Sequence, residues 1–183
     1  MKGIIFNLLE EVADAKFGEG TWDRLLETAK LEGIYTSLGS YPDAELMALV
    51  EAAQERLGKT QTEILRWFGS AAVRPLVARY PAFFVGHHSL QTFMLTLNDV
   101  IHKEVRKIYS GADAPDFAFE HIAAGRLVMS YVSSRGLCMF AEGLLHGTAQ
   151  HFGEEVALHQ TECMLRGEAR CVFDLSFHRK GAP

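Results

Sequence analysis

The spacing of hydrophobic residues changes once along this chain, close to Pro115, and that change limits which folds it can adopt. Before this point, apolar residues recur every three or four positions, which is the period of an amphipathic helix. After it, most segments alternate between apolar and polar residues, as half-buried strands do. The sequence therefore predicts an α+β fold, with a helical N-terminal region and a C-terminal antiparallel sheet that carries helices.

Caps, glycines and prolines divide these two regions into predicted elements. Helices are expected at 2–17, 21–31, 43–58, from Thr60 onward with Gly69 and Pro75 interrupting or restarting it, and at 88–109. Strands are expected at 116–122, 126–134, 155–163 and 169–177, with a helix at 138–152 and a turn at Gly167. No linker-like segment separates the two regions, so we expect them to pack as one unit.

Composition excludes several classes of protein. Of the 183 residues, 48% are hydrophobic, so a sizeable core forms without disulfides. The net charge of −5, from interspersed acidic and basic residues, argues against a nucleic-acid partner or an anionic membrane surface. No run of 18 apolar residues occurs, and Glu10 and Glu11 interrupt the first apolar stretch, so neither a membrane span nor a secretory signal is expected. We therefore expect a cytoplasmic protein whose cysteines are thiols or metal ligands.

His102 differs from the other histidines in its surroundings. In the predicted helix 88–109 it stands seven residues after Leu95 and seven before Tyr109, with Val105 between. The imidazole is therefore placed along an apolar edge, where an unpaired polar group costs about 1–3 kcal/mol. Coordination of a metal removes that cost, and imidazole is the usual axial ligand of heme iron. A hydrogen-bonded core histidine meets the same requirement, so the spacing alone leaves both roles open.

A second group of polar residues lies in YVSSR at 131–135. If this segment is a strand, Tyr131, Ser133 and Arg135 project from one face, because side chains alternate along a strand. Two hydroxyls and a guanidinium on one face form a set of donors for carboxylates, which arginine binds in a bidentate manner. A solvated strand face is the alternative reading of so short a motif.

The three cysteines form a third group. Cys163 and Cys171 lie equally far from Gly167, so a hairpin that turns there places them opposite each other. With Cys138 at the start of the neighbouring helix and His159 four residues before Cys163, three sulfurs and an imidazole suit a tetrahedral zinc site. Three free buried thiols are the alternative.

These features occur together in a known pattern. From Met1 to about Phe177 the chain resembles the heme-nitric oxide/oxygen binding (H-NOX) domain of bacterial gas sensors and soluble guanylate cyclase. The resemblance rests on the opening MKGIIFNLLE, the pair Phe68-Gly69, NDVIH ending at His102, Pro115, the Tyr-x-Ser-x-Arg motif at Tyr131, Ser133 and Arg135, and EGLLHG at 142–147. The Tyr-x-Ser-x-Arg motif, combined with a histidine at this distance upstream, is its most specific part.

The resemblance implies a single domain over 1–178, with a helical part at about 1–60, a heme-enclosing α+β part at about 61–178 and a tail at 179–183. Heme b is then buried between the two parts. The resemblance assigns His102 to the iron and Tyr131, Ser133 and Arg135 to the two propionates. A helix supplies the iron ligand, and the other segment supplies donors for the only charged groups of heme.

The resemblance also implies which residues surround the heme. They are Ile5, Leu9, Ala72, Leu76, Pro115, Phe140 and Leu144, with Ile5 and Pro115 pressing on the porphyrin and bending it. Family members that hold oxygen have a distal tyrosine whose hydroxyl donates to bound O₂, and Phe140 stands in its place. Phenylalanine cannot donate a hydrogen bond, so we expect nitric oxide and CO to bind and O₂ to be excluded.

Separate H-NOX proteins of this length work with a histidine kinase or a diguanylate cyclase. The resemblance implies a sensor without catalytic activity, in which loss of the His102–iron bond and relaxation of the heme start the signal. A subset of the family resembles the cysteine arrangement, but its histidine precedes the cysteine by three residues rather than four. His159 therefore requires a bulge if it is to bind zinc.

Two other readings compete with the gas sensor. The segment from EGLLHG at 142–147 to CVF at 171–173 also resembles the 4-vinyl reductase-type domain, which binds small apolar molecules in bacterial regulators. That reading leaves His102 and the N-terminal helices without a role. A heme peroxidase needs polar distal groups, whereas the expected wall is apolar.

Overall fold

The computed structural model of the protein describes residues 1–123 and 125–179, without the side chains of residues 121, 122 and 179. Within these residues the α-helices are α1 (Gly3–Phe17), α2 (Thr21–Ala29), α3 (Asp43–Leu57), α4 (Gln61–Arg79), α5 (Leu90–Met94), α6 (His102–Ile108) and α7 (Cys138–His151). The strands are β1 (Asp116–Ala123), β2 (Arg126–Val132), β3 (Glu154–Glu162) and β4 (Cys171–Arg179). The predicted tail, apart from the backbone of residue 179, lies outside the described residues.

The C-terminal strands form one antiparallel sheet in the order β1-β2-β4-β3. The buried side chains of β2, Leu127, Met129 and Tyr131, alternate along the strand as the sequence pattern predicts. Helix α7 follows β2 and precedes β3, and the other helices form the N-terminal part. The predicted α+β class is therefore confirmed. None of the helices in the described part of the chain is both long and apolar enough to cross a membrane.

Helix α4 runs without a break from Gln61 to Arg79, so the predicted interruption at Gly69 and Pro75 is wrong. Gly69 does not end the helix because it is a crossing point with α7: a Cβ there would lie 2.3 Å from the Phe140 carbonyl oxygen. On the facing helix, a Cβ at Gly143 would lie 2.2 Å from the Arg66 carbonyl oxygen. These glycines bring the two backbones into direct contact, and that packing holds α4 together across its proline.

The single helix predicted over 88–109 is also wrong. Ser89 caps the short helix α5, which ends at Met94, and a π-helical turn over Leu97–Ile101 leads into α6. The amides of Val100 and Ile101 both donate to the carbonyl of Thr96, which marks the widened turn. A π-helical turn accommodates one extra residue, so the regular spacing of apolar residues in the sequence does not reveal it. His102 is the first residue of α6.

Candidate functional site

A large cavity of about 410 Å³ lies between the N-terminal helices and the sheet region. Helices α1, α4, α6 and α7 and the segments before β1 and after β2 all contribute to its wall. Of the residues expected around a heme, those that line it are Ile5, Leu76, His102, Pro115, Tyr131, Ser133, Arg135, Phe140 and Leu144. The N-terminal helices thus form part of this site.

His102 is the polar group that most needs a partner in this cavity. Its Nδ1 atom is buried and has no hydrogen-bond partner among the described residues. Burial, followed by the nearby Arg106 guanidinium, lowers the pKa of His102 to about 4, although the Asp116 carboxylate and the Pro115 carbonyl act in the opposite direction. The imidazole is therefore neutral at neutral pH, which is the form that coordinates a metal.

The polar end of the cavity is formed by Tyr131, Ser133 and Arg135. Strand β2 ends at Val132, so the alternation of a strand does not bring the three together as predicted. A turn after the strand does, and in it the Ser133 hydroxyl accepts the backbone N–H of Arg135 at 3.3 Å. Burial raises the pKa of Tyr131, which keeps its hydroxyl protonated and able to donate.

Arg135 already binds carboxylates in this structure. Its Nε lies 2.9 Å from Asp43 Oδ2, and its Nη1 lies 3.2 Å from Asp113 Oδ2. Nη1 also donates to the Asp113 carbonyl. The Arg135 side chain is only 18% exposed, so this guanidinium is a partly desolvated carboxylate receptor at the mouth of the cavity.

The opposite wall is apolar. Phe140 and Leu144 of α7 and Leu76 of α4 line it, and the Phe140 ring lies 4.8 Å from that of Phe68. Leucine and phenylalanine side chains offer neither donor nor acceptor. A polar ligand on this wall receives no hydrogen bond from them.

Two of the residues expected in the wall do not line the cavity. Leu9 instead faces a small space of about 30 Å³ between the N-terminal helices, and Leu8 takes its place. Ala72 is fully buried, and the next residue, Val73, faces the cavity. Neighbouring residues of a helix point about 100° apart, so Leu8 and Val73 face a different side from Leu9 and Ala72.

Sequence reasoning also missed several polar residues that line the cavity, among them Tyr80, Tyr109 and Thr148. The hydroxyls of Tyr80 and Tyr109 are hydrogen-bonded to each other. Tyr80 lies four residues after Leu76, and Thr148 four after Leu144, so helical spacing from the predicted wall residues would have found both.

These residues fit a heme. The cavity joins an apolar space for a macrocycle to a cluster of donors for two carboxylates. Between them stands a neutral, half-buried imidazole whose Nδ1 atom is buried and lacks a partner in the described structure. An iron porphyrin needs all three features, and no smaller apolar ligand explains the imidazole.

Comparison with known families agrees with this geometry. The family model described as Haem-NO-binding matches residues 2–160. The chain belongs to this family, the H-NOX proteins. A search of curated proteins found no match.

Solved structures of other H-NOX proteins share the whole fold. The crystal structure of the S. oneidensis protein in its Fe(II)NO state has 31% identity and a TM-score of 0.91, over 98% of this chain and all of that one. The NMR structure of the S. oneidensis domain in its Fe(II)CO state has 31% identity and a TM-score of 0.89, over 97% and 99%. The unliganded Fe(II) protein of K. algicida has 27% identity and a TM-score of 0.87, over both full chains.

The cysteines of this H-NOX protein form a second site. The sulfur atoms of Cys138, Cys163 and Cys171 all lie within 4.8 Å of one another, and the first two are 4.0 Å apart. All three residues are buried. Burial and the two neighbouring thiols raise the pKa of Cys138 to about 12, so this thiol is protonated when no metal is bound.

His159 is not part of this cluster, which corrects the predicted ligand set. Strand β3 carries an extra residue, Thr161, between the pairs Gln160–Phe173 and Glu162–Val172. This bulge reverses the alternation, so His159 and Cys163 lie on opposite faces and His159 is exposed. Gln160 now shares the face of Cys163, and its Nε2 atom is buried without a partner among the described residues.

Proposed function

We propose that this H-NOX protein holds heme b in the large cavity and is a gas sensor rather than an enzyme. The observation that carries the proposal is the neutral, half-buried His102, whose buried Nδ1 lacks a partner in the described structure, beside a cavity of about 410 Å³. When bound, heme supplies a ferrous iron that takes diatomic gases. His102 binds that iron, and Ile5 and Pro115 press on the porphyrin.

Tyr131, Ser133 and Arg135 hold the two propionates in this proposal. The support is that Arg135 already pairs with two carboxylates, those of Asp43 and Asp113. Propionates offer the same chemical group, so they compete for the same guanidinium.

We further propose that the sensor binds nitric oxide and CO but not O₂. Bound O₂ carries partial negative charge and is stabilised by a donor above the iron. A hydrogen bond to a charged acceptor contributes about 1.5–3 kcal/mol, or roughly ten- to a hundredfold in affinity. Phe140 and its apolar neighbours Leu76 and Leu144 provide none.

Absorption spectra of the ferrous protein test this choice. We expect the protein to form nitric oxide and CO complexes and no stable oxygen complex in air. Phe140→Tyr supplies the missing hydroxyl and should slow the loss of O₂. A long-lived oxygen complex of the unaltered protein contradicts the proposal, because it requires a hydrogen-bond donor that neither Phe140 nor its apolar neighbours supply.

Signalling begins, in this proposal, when nitric oxide binding releases His102 and the heme relaxes from its bent shape. The released α6 and the relaxed cavity wall then present an altered surface to a partner histidine kinase or diguanylate cyclase in the cytoplasm. Support comes from the position of the cavity, whose wall includes α1 of the N-terminal part and α7 beside the sheet. The measurement is kinase or cyclase activity with the protein in its free and nitric oxide-bound states.

We also propose one structural zinc ion at Cys138, Cys163 and Cys171. Sulfur ligands at about 2.3 Å from zinc lie roughly 3.8 Å apart, close to the 4.0 Å between Cys138 and Cys163. The set does not supply the fourth, imidazole ligand, and Gln160 rather than His159 shares the strand face of Cys163. Elemental analysis of protein purified without chelator should find about one zinc per chain, whereas no zinc together with three titratable thiols in that same protein contradicts the site.

A further inference from the structure

Helix α6, which carries His102, is held by a polar contact at each end. Asn98 lies in the π-helical turn before α6, and Tyr109 directly follows the last residue of α6. Helix α6 has seven residues and buries none of them fully within the described structure. Apolar packing therefore restrains it little, and polar contacts carry more weight here than in the other helices.

The Asn98 side chain pairs with the backbone of a single residue of β1. Its Nδ2 donates to the Phe117 carbonyl, and the Phe117 N–H donates to its Oδ1 at 3.2 Å. Strand β1 is an edge of the sheet, so the amide satisfies backbone groups that no further strand pairs. The Phe117 ring in turn lies 5.6 Å from the His102 ring. Asn98 thus fixes the start of α6 to the strand that packs against the imidazole.

Tyr109 provides the contact at the other end. Its hydroxyl is hydrogen-bonded to that of Tyr80, which follows the last residue of α4. Helix α4 is itself locked against α7 through Gly69 and Gly143, so Tyr80 is a firm anchor. The remaining side-chain contact between α6 and β1 in the described chain, Arg106 to Asp116 at 4.0 Å, joins two exposed groups and contributes little.

We propose that Asn98 and the Tyr80–Tyr109 pair are positioning residues that hold α6 at both ends and set the place of the His102 imidazole in the cavity. The effect of these contacts on the His102–iron bond rests on the proposed function. With heme bound, a helix held at both ends would keep His102 in place, and this would favour release of His102 when a gas binds. A loosened helix follows the iron and keeps the bond.

Hydrogen exchange in the full chain without heme tests the contacts by themselves. Asn98→Ala should make the amides of residues 102–108 exchange about tenfold faster, because two hydrogen bonds are lost. Tyr80→Phe should have a smaller effect in the same direction without altering α6 itself. Asp99→Asn is the matched control: its carboxylate is 83% exposed and bonds only Lys103 among the described residues, so exchange should not change.

The heme-loaded protein tests the consequence. The iron–histidine stretching band of the ferrous, gas-free protein should shift and broaden in Asn98→Ala. A larger fraction should also retain His102 after nitric oxide is added. Asn98→Asp should lie between, since it still accepts the Phe117 N–H but no longer donates. Tyr80→Phe and Tyr109→Phe should match each other, and the double variant should add nothing, because both remove the same hydrogen bond.

The outcomes separate this inference from the proposed function. An unchanged exchange rate and an unchanged band in Asn98→Ala overturn the inference and leave the heme site intact. If Asn98→Ala does not fold, unchanged exchange in both Asn98→Asp and Tyr80→Phe overturns it. If the unaltered protein has no His102–iron bond, the proposed function fails, while exchange in the heme-free chain still decides whether these contacts hold α6.

Discussion

At the scale of single residues, His102 illustrates how burial creates a ligand. A histidine on the surface has a pKa near 6.5 and a solvated ring, whereas burial lowers the pKa of His102 to about 4 and leaves its Nδ1 without a partner in the described structure. Keeping a neutral imidazole unpaired costs free energy. Coordination of iron, as proposed, would compensate that cost, which is why the residue is more informative than the remaining histidines.

Replacing His102 with alanine should separate the contribution of the imidazole to heme binding from that of the apolar cavity wall. We expect His102→Ala to lower heme affinity at least about a hundredfold, since the bond to iron is lost while the apolar wall remains. Added imidazole should restore binding, and the Soret absorbance of the purified protein measures it. His88→Ala, at an exposed position outside the cavity lining, is the matched control. Full heme content in His102→Ala without imidazole would disprove the assignment.

At the scale of elements, the crossing of α4 and α7 positions the apolar wall of the cavity. The glycines at the crossing allow the backbones to touch, which fixes how far Phe140 and Leu144 reach toward the cavity. Any side chain at Gly143 meets the Arg66 carbonyl, a backbone atom that cannot rotate away. The glycines of the EGLLHG segment are therefore required by packing.

Gly143→Ala should push α7 away from α4. We expect a loss of unfolding free energy of about 1–3 kcal/mol or more, because overpacking forces the backbone to shift. Chemical denaturation measures the loss. Gln150→Ala, on the exposed face of the same helix, should change stability by less than about 0.5 kcal/mol. Equal stability of the two variants would show that the helices separate without cost.

The bulge in β3 decides which residue of this strand shares a face with the cysteine cluster. By reversing the alternation at Thr161, it removes His159 from the cysteine cluster and turns Gln160 toward it. An amide is a weaker zinc ligand than an imidazole. The fourth coordination position of the proposed zinc site therefore limits its affinity for zinc.

Replacement of this amide should strengthen the metal site. Gln160→His should raise zinc affinity about ten- to a hundredfold, measured by competition with a chelator, because it completes a ligand set of three thiolates and an imidazole. His159→Ala should leave the affinity unchanged. A loss of zinc in His159→Ala would mean that the bulge is absent when metal is bound.

At the scale of the whole molecule, the cavity joins the two parts of the fold. Ile5 of α1 and Arg135 of the segment after β2 both line it, and Arg135 pairs with Asp43 at the start of α3. A bound heme therefore contacts both parts at once. The single domain over 1–178 and its internal boundary stay predictions.

Heme should stabilise both parts in a single step. At a free heme concentration one hundred times the dissociation constant, binding adds about 2.7 kcal/mol to the unfolding free energy. For a chain of this length that corresponds to an increase in Tm of roughly 5–10 °C, measurable by calorimetry. The same addition to His102→Ala should raise Tm less. Two separate transitions, only one of them shifted by heme, would show that the parts fold independently.

The sequence by itself determined the class of fold and the family. Hydrophobic spacing separates helices from strands because the two have different periods, and the confirmed α+β fold follows from that. The family depends on His102 and the Tyr-x-Ser-x-Arg motif, which are residue types at fixed intervals and need no coordinates. The resemblance likewise pointed to Ile5, Pro115 and Phe140, which line the cavity.

Only the tertiary structure decided which of two neighbouring residues faces a site. Leu8 rather than Leu9 faces the cavity because neighbouring residues of a helix point about 100° apart. Gln160 rather than His159 faces the cysteines because a bulge inserts one residue into a strand. The π-helical turn before His102 inserts a residue in the same way. Each depends on contacts between distant segments, such as Asn98 with Phe117, and local spacing carries no record of such contacts.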